Sequence, residues 1–407
     1  MSKLKTVVVV NDFDYINGGA AKVAINTAEL LAKSGIKVYF FSATHNNKEK
    51  NSDIQYISTN QEESLKDKNK IRGALNGIYN IKAKKELGKL LDKLDKETTI
   101  IHIHGWMKAL SSSIFDAINK KGFKCAVTFH DYFLMCPNGG FFDYKSNKIC
   151  KKNPLSLRCI TCNCDSRNYL FKIYRVIRQF VQNKIVKINK KIKYAISISD
   201  FSYNILKCGL AEDTIVEKIN NPVDIKKYKD RIKAEENSYY LYVGRISKEK
   251  GVNLFCKVIT ELKLKGIVVG DGNQKETLQK EYPNIDFAGW KNKEEVEKIM
   301  KNARTLVFPS LWYEAAPLTT LEAQSIGLPC VVSDCSAAIE NIRNENNGLI
   351  FDINNIKDLL EKIYSTKDNT LLKKLSENSY YEYWKKVTES DKYEQKLLNF
   401  FNIILKG

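Results

Sequence analysis

Two glutamates with seven residues between them, Glu314 and Glu322, punctuate the stretch Phe308 to Asp334. Leu306-Val307-Phe308 reads as a buried strand, and Pro317 sits where a helix takes its first residue, because the N–H it lacks is one a helix start leaves unpaired. Gly327 and Pro329 then stop that helix. Glu314 is thereby placed on the loop before a helix N-terminus, and Glu322 one to two turns inside it. The amides of Leu318, Thr319 and Thr320 should point at whatever occupies the mouth of the loop, and such an end favours an anion. Two carboxylates beside a phosphate-sized hole can grip the hydroxyls of a sugar and of a ribose. The plainer reading is that the two acids only complement the helix dipole.

Other residues of the right type lie at predicted strand ends. Tyr239 to Val243 is a strand leading into Gly244-Arg245-Ile246-Ser247-Lys248-Glu249-Lys250-Gly251, so Arg245 and Lys250 leave one strand end together. Ile267-Val268-Val269 exits through Gly270-Asp271-Gly272. Near the start, Thr6 to Val10 is an apolar strand, and Gly18-Gly19 opens a helix; glycine lets a phosphate or sugar approach the backbone closely. His104 with Gly105 and Phe129-His130-Asp131 close two further strands, whereas His102 lies inside its strand as a packed residue. Ligands of parallel sheets gather at such carboxyl ends.

With Trp312-Tyr313, Pro317 and the Gly327-Leu328-Pro329 stop around it, the two-glutamate segment resembles the signature of glycosyltransferase family 4. The resemblance covers nearly the whole chain, strongly from Tyr239 to Phe351. It includes Asn347-Gly348-Leu349-Ile350 and a turn-like Asn220-Asn221-Pro222-Val223-Asp224, but Ser336-Ala337-Ala338 replaces the glycines usual before an acid at Glu340. It implies the GT-B architecture, α/β, with two Rossmann-like domains whose parallel sheets face across a cleft. It also implies roles: Glu314 on the donor sugar, Glu322 on the ribose, Arg245 and Lys250 on the diphosphate, His130 at the sugar and reaction centre, and Gly18 and Gly19 at phosphate approach. His104, Gly244, Gly270, Leu318 and Thr319 join them as substrate-binding positions. The implied reaction is retaining transfer from a UDP- or GDP-type nucleotide sugar to a glycan or lipid-linked acceptor, in cell-surface polysaccharide or glycoconjugate synthesis. No Asp-x-Asp segment is read as a metal site, so no catalytic cofactor is expected, and fixed cations must stabilise the leaving diphosphate.

The elements that position these groups follow from length and pattern. A chain of 407 residues exceeds one ordinary core, and strand–helix alternation predicts parallel sheets wrapped by helices. The expected division is an acceptor-binding domain over 1–224, with a Cys-rich insert at 136–164, a nucleotide-sugar domain over 225–380, and a helix over 381–407 crossing back to the first. Residues 46 to 67 read as a loop. The excess of 66 basic over 47 acidic residues suggests a polyanionic partner, although most of it is solvated helix surface. No apolar run approaches a membrane span, and a cytoplasmic protein is expected. Phe171 to Lys193 has eight Lys or Arg and no acid, with apolar residues at Phe171, Tyr174, Ile177, Val181, Ile185, Ile188 and Ile192. That stripe should pack on the sheet, and the basic face could hold the protein peripherally on an anionic inner membrane face.

Five cysteines fall within the insert, and Cys159-x-x-Cys162 has the bite of a zinc knuckle. The expectation is a structural zinc on Cys136, Cys150, Cys159 and Cys162, with Cys164 spare; free thiols are the alternative. A nucleotide-sugar epimerase or phosphorylase of the same architecture, or a basic nucleic-acid-binding protein, are the competing functions. The last lacks any recognised binding motif, so no specific nucleic acid is expected.

Overall fold

Short runs of branched apolar residues alternate with amphipathic segments. In the computed structural model, which describes residues 3–46, 51–222, 225, 227–390 and 393–407, they become parallel sheets with covering helices. Val223 and Asp224 of the expected interdomain turn lie outside the described residues. The chain divides into two units: Met1–Gly140, Lys151–Pro222 and Lys392–Gly407 form the first, Phe141–Cys150 and Val223–Asp391 the second.

The first unit takes β1 (Thr6–Phe13), β2 (Lys37–Thr44), β3 (Ile54–Ser58), β4 (Thr99–Ile103) and β5 (Lys124–Phe129). A small antiparallel hairpin of the second unit follows, β6 (Phe142–Asp143) and β7 (Lys148–Ile149), and then β8 (Tyr194–Ser197) and β9 (Ile215–Lys218) complete the first sheet. Its order is β3-β2-β1-β4-β5-β8-β9, parallel at every pairing. All eight residues of β1 are buried, as expected of a strand covered on both faces. The order reverses between β1 and β4, and at such a switch the connections leave in opposite directions and open a crevice at the carboxyl ends.

The second unit repeats the plan with β10 (Tyr239–Val243), β11 (Lys265–Val269), β12 (Asp286–Gly289), β13 (Ala303–Phe308), β14 (Cys330–Ser333) and β15 (Gly348–Phe351). Its order is β12-β11-β10-β13-β14-β15, again parallel, and the switch falls between β10 and β13. Each unit is thus a Rossmann-like α/β domain.

Several local features depart from the sequence reading. Residues 54–58, expected in a loop, add an edge strand through pairing with β2, which their mixed polarity hides. Pro317 is the residue before the helix Leu318–Ser325, one place earlier than expected, with extended backbone (φ −76°, ψ 103°). The expected stripe is kept only in part: Ile188 and Ile192 are fully buried and Phe171, Tyr174 and Val181 partly so, but Ile177 and Ile185 are 46% and 64% exposed beside exposed Leu170, Ile173 and Phe180, while Lys172, Arg178, Gln179 and Gln182 are buried. The reason lies in unpaired carbonyls. Arg178 donates to the Met107 and Pro137 oxygens, Gln179 to those of Phe133 and Leu134, and Gln182 to that of Phe133, so loops without a ladder of their own are satisfied by this helix. A π-helical stretch over Val181–Val186 then shifts the 3.6-residue period on which the expected stripe rested.

Residues 381–390 continue a helix of the second unit, and the helix that belongs to the first is Tyr393–Lys406. The helix Asn369–Ser390 is held in the second unit through Trp384, whose Nε1 donates to the Ser325 oxygen, and Glu382, which accepts from Asn346 and Asn347. The last helix, Tyr393–Lys406, buries Leu397, Phe400, Phe401, Ile404 and Leu405 among Val7, Val9, Ala24 and Ile100. Phe401→Ala is expected to cost about 3–5 kcal/mol by removing a fully buried ring from this core. Urea unfolding of the variant, followed by far-ultraviolet circular dichroism, measures that loss.

Candidate functional site

At the switch of the second unit the loops leaving β10, β11 and β13 are fastened together. The Gly244 amide donates to the Val269 oxygen at 3.0 Å, and the Ile246 amide to that of Asp271 at 2.9 Å. Gly270 makes this possible, since with φ +141° a Cβ there would lie 1.9 Å from the Gly244 oxygen. From β13 the Leu311 amide donates to the Glu249 oxygen at 2.8 Å.

This clamp puts Glu314 against Lys250. Glu314 Oε1 accepts from Lys250 Nζ at 2.5 Å, Trp312 Nε1 at 2.5 Å and Ser310 Oγ at 2.9 Å. Burial alone would raise the Glu314 pKa; the Lys250 charge and the three donors outweigh it and hold the carboxyl below its ordinary value. Lys250 also lies 5.3 Å from the centroid of the Trp312 ring. Arg245 is braced similarly: its Nη2 donates at 2.5 Å to buried Glu249, which also accepts from Ser247 Oγ at 2.8 Å. Arg245 keeps a side chain 57% exposed, so its guanidinium retains donors for a ligand.

Sequence reasoning singled out Arg245, Lys250 and Glu314 and missed Glu249 and Ser310, the groups that orient them. The signal for Glu249 was its place four residues after Arg245 in a tight turn. Leu318 and Thr319 open the helix after Pro317, where their amides are at its N-terminus. Glu322 lies within that helix, half-buried, and after burial its charge is the other influence holding the Tyr383 phenol above its usual range.

The first unit has its own pocket at the β1/β4 switch, lined among others by Asn11, Asn17, His104, Gly105, His130 and Asp131. The Asp-x-Asp segment of the chain, Asp12-Phe13-Asp14, is committed to the scaffold here. Asp12 accepts from the amides of Lys108, Ala109 and Leu110 at 2.8–2.9 Å, and Asp14 from His45 Nδ1 at 2.7 Å and the Asn46 amide at 3.1 Å. Gly18 and Gly19 stand before and at the start of the helix Gly19–Lys33, and a Cβ on either would meet nothing within 4 Å.

His130 ends a hydrogen-bonded chain of imidazoles. Thr128 Oγ1 lies 2.8 Å from His102 Nε2, His102 Nδ1 lies 3.2 Å from His104 Nε2, and His104 Nδ1 lies 2.9 Å from His130 Nε2. His102, read from the sequence as a packing residue, is both packed and part of this chain. Burial pushes His102 down to about 3 and His130 to about 4, and His104 well below 6.5, so all three are neutral near pH 7. A neutral ring has one N–H, so the direction of one bond sets every other, and with them whether His130 Nδ1 donates or accepts.

The insert does not gather its cysteines as expected. Cys150 belongs to the second unit, and Cys136, Cys159, Cys162 and Cys164 to the first, and among the described residues no group of three or more His, Cys, Asp or Glu stands in a metal-holding arrangement. Cys159 and Cys164 instead both meet Lys172.

Comparison with known proteins accords with this geometry. Residues 224–382, most of the second unit, match the family described as "Glycosyl transferases group 1". Over 214 residues the chain is 28% identical to the Escherichia coli UDP-Gal:alpha-D-GlcNAc-diphosphoundecaprenol alpha-1,3-galactosyltransferase, covering 46% of this chain and 51% of that one. It is 27% identical to the Campylobacter jejuni N,N'-diacetylbacillosaminyl-diphospho-undecaprenol alpha-1,3-N-acetylgalactosaminyltransferase, covering 46% and 54%. The matches thus span about half the length of these relatives. Among solved structures the fold is similar to a sucrose-phosphate synthase from Thermosynechococcus elongatus, with TM-score 0.70, 14% identity and 99% of each chain covered. It is also similar to Anabaena HepE in complex with UDP, with TM-score 0.65, 13% identity and coverage of 97% and 99%. These neighbours make the architecture GT-B, and nothing among them favours an epimerase, a phosphorylase or a nucleic-acid binder.

The neutral imidazoles generate a pH dependence. An unfolded histidine takes up its proton near pH 6.5, whereas these folded rings resist until about 3 to 4, so acidification favours the unfolded chain. Asp131, pushed up to about 6 by burial, and Asp12, also raised by burial, act in the opposite sense, being protonated earlier when folded. His102 and His130 are each shifted further than Asp131, which leaves a net loss of stability as pH falls from about 6.5 towards 4. Urea midpoints measured at about pH 7 and about pH 5 should show that loss. The double variant His102→Gln/His104→Gln should flatten it.

Proposed function

We propose that the protein transfers a sugar from a nucleoside-diphosphate sugar to a lipid-linked or glycan acceptor. The observation that carries this is the Glu314–Lys250–Arg245 arrangement at the strand switch of the group 1 domain: an ionised carboxylate and two braced cations, beside the start of the helix Leu318–Ser325. The relatives named for UDP-Gal and for diphospho-undecaprenol acceptors support the donor and acceptor classes.

In this reading Glu314 takes sugar hydroxyls with the lone pairs that Lys250, Trp312 and Ser310 leave open, and Glu322 takes those of the ribose. Lys250 spends one N–H on Glu314 and keeps others for the diphosphate. As the anomeric C–O bond to phosphate breaks, Arg245, Lys250 and the helix amides stabilise the charge on the departing diphosphate. No metal is needed for that step in this scheme. The acceptor oxygen bonds to the anomeric carbon and its proton passes to a phosphate oxygen on the same face, which retains the configuration. Family resemblance supports retention.

Acceptor chemistry of this kind belongs at a membrane. Among the described residues no helix is long and apolar enough to cross one. The outward Leu170, Ile173, Ile177, Phe180 and Ile185, with exposed Lys184, Lys187 and Lys190 following, suit peripheral insertion into an anionic cytoplasmic leaflet. Three such lysines contribute about 1 kcal/mol each.

Release of nucleoside diphosphate from a panel of UDP- and GDP-sugars, in the presence of lipid-linked diphosphate acceptors, tests the reaction. Glu314→Gln and Arg245→Ala should each lower the rate by about ten- to a hundredfold while leaving the fold intact. Unchanged rates in both would exclude the assigned roles. Sedimentation with anionic liposomes should fall sharply in Ile177→Ser/Phe180→Ser; equal pelleting of wild type and variant would exclude this face as the anchor.

A further inference from the structure

Four polar side chains on one face of the first sheet form a line that the transfer scheme leaves unexplained. β4 and β5 are parallel neighbours with His102 level with Ala126, and residues two apart on a strand share a face. His104 continues β4, its amide donating to the Val10 oxygen at 2.8 Å, and His130 follows β5 directly. The hydrogen bonds therefore cross between the strands twice, from Thr128 to His102, on to His104, and back to His130. At one end Thr128 is buried, and the fully buried His102 ring packs edge-on against Phe401 with centroids 5.2 Å apart. At the other end His130 lines the pocket, less buried than the other three.

Hydrogens can run along this line in two directions only, because a neutral ring has one N–H and burial keeps all three rings neutral. The Thr128 hydroxyl decides between them. Among the described residues the one hydrogen-bond partner of Thr128 Oγ1 is His102 Nε2, at 2.8 Å. Were His102 to donate, the hydroxyl hydrogen would be buried without an acceptor. When Thr128 donates, every hydrogen inside the line is bonded and only oxygen lone pairs are left over, which burial penalises less. The order follows from that end: Thr128 Oγ1–H to His102 Nε2, His102 Nδ1–H to His104 Nε2, and His104 Nδ1–H to His130 Nε2.

We propose that Thr128, acting through His102 and His104, fixes His130 in the tautomer with its hydrogen on Nδ1, so that His130 presents an N–H donor to the pocket and binds an oxygen lone pair of the sugar substrate. Thr128, His102 and His104 are then positioning residues for His130. Both nitrogens of His130 are committed: Nε2 accepts from His104, and Nδ1 already carries its hydrogen. Taking a proton from a substrate hydroxyl would require His104 to give up that bond, so His130 holds the substrate and does not serve as a general base. The use of the donor in binding rests on the transfer reading above, whereas the tautomer itself does not.

The chain has 4 histidines in all, so two-bond proton–nitrogen spectra of the full protein carrying isotope-labelled histidine can resolve each ring, with His45→Gln and His130→Gln assigning two of them. At neutral pH the wild type should show His130 Nδ1 at the shift of a protonated nitrogen and Nε2 at that of an unprotonated one. Thr128→Val removes the hydroxyl and should pull both His130 shifts towards the average of the two tautomers, three links away from the substitution. Thr128→Ser should restore them. Nucleoside-diphosphate release should fall about two- to tenfold in Thr128→Val, the range of one ordinary hydrogen bond, mainly through KM, and recover in Thr128→Ser. An unprotonated Nδ1 in the wild type, a cationic His130, or His130 shifts unchanged in Thr128→Val would each overturn the tautomer assignment, and the wild-type spectra decide it even if the valine variant does not fold. Spectra as expected with an unchanged KM would overturn the binding role. A wild type that releases no diphosphate from any donor would instead sink the transfer reading, and the tautomer would still stand or fall by the spectra.

Discussion

A carboxylate in a buried position must be paid for in local charge and donors, and the candidate site of the second unit is arranged around that requirement at Glu314. Lys250, Trp312 and Ser310 come from two loops, 248–251 and 309–314, and neither loop alone could keep the acid ionised. The two loops meet because β10 and β13 are neighbours whose connections diverge, and because glycine at 270 lets the β11 exit lie on the Gly244 oxygen. The sheet order therefore reaches the chemistry through one ion pair. The same pairing fixes Lys250 in place before any ligand arrives, so a bound diphosphate would meet a preorganised cation instead of a mobile lysine.

The first unit meets a similar constraint with neutral groups. Its β1/β4 switch buries Asp12 against the amides of Lys108, Ala109 and Leu110, in the loop that precedes the helix Ser113–Lys121. Beside it the three histidines avoid charge altogether and share protons along Thr128, His102, His104 and His130. A polar chain so deeply buried has little tolerance for a missing partner, so the state of His130 is tied to residues on two adjacent strands.

How far the sequence reached follows from which interactions are local. Strand runs, the glycine exits and the segment around Glu314 carry their signals within about ten residues, and the two sheets and the placement of Arg245, Lys250 and Glu314 were legible from them. Asp12 was not, because its three donors come from a distant loop, and Glu249 was not, because its partners Arg245 and Ser247 are local but nothing in the pattern marks an acid of a turn as buried. The segment at 169–186 misled for a physical reason. Its apolar period was real, but burial went to the residues that could satisfy foreign carbonyls, and hydrogen-bond need outweighed apolar burial there. Spacing likewise grouped Cys150 with Cys136, Cys159 and Cys162, since spacing does not show which unit a hairpin joins.

That segment connects the remaining features of the first unit. Its inner face carries Arg178, Gln179 and Gln182, which hold the carbonyls of Met107, Phe133, Leu134 and Pro137, and thus both loops that follow His104 and His130. Nearly two turns earlier Lys172 reaches the sulfurs of Cys159 and Cys164. Its outer face is the apolar ridge from Leu170 to Ile185. A helix fixed to pocket loops on one side and seated on lipid on the other would set the height of the histidine end of the pocket above the membrane surface. On the proposed seating, the rigidity of the inner face would matter as much as the hydrophobicity of the outer one.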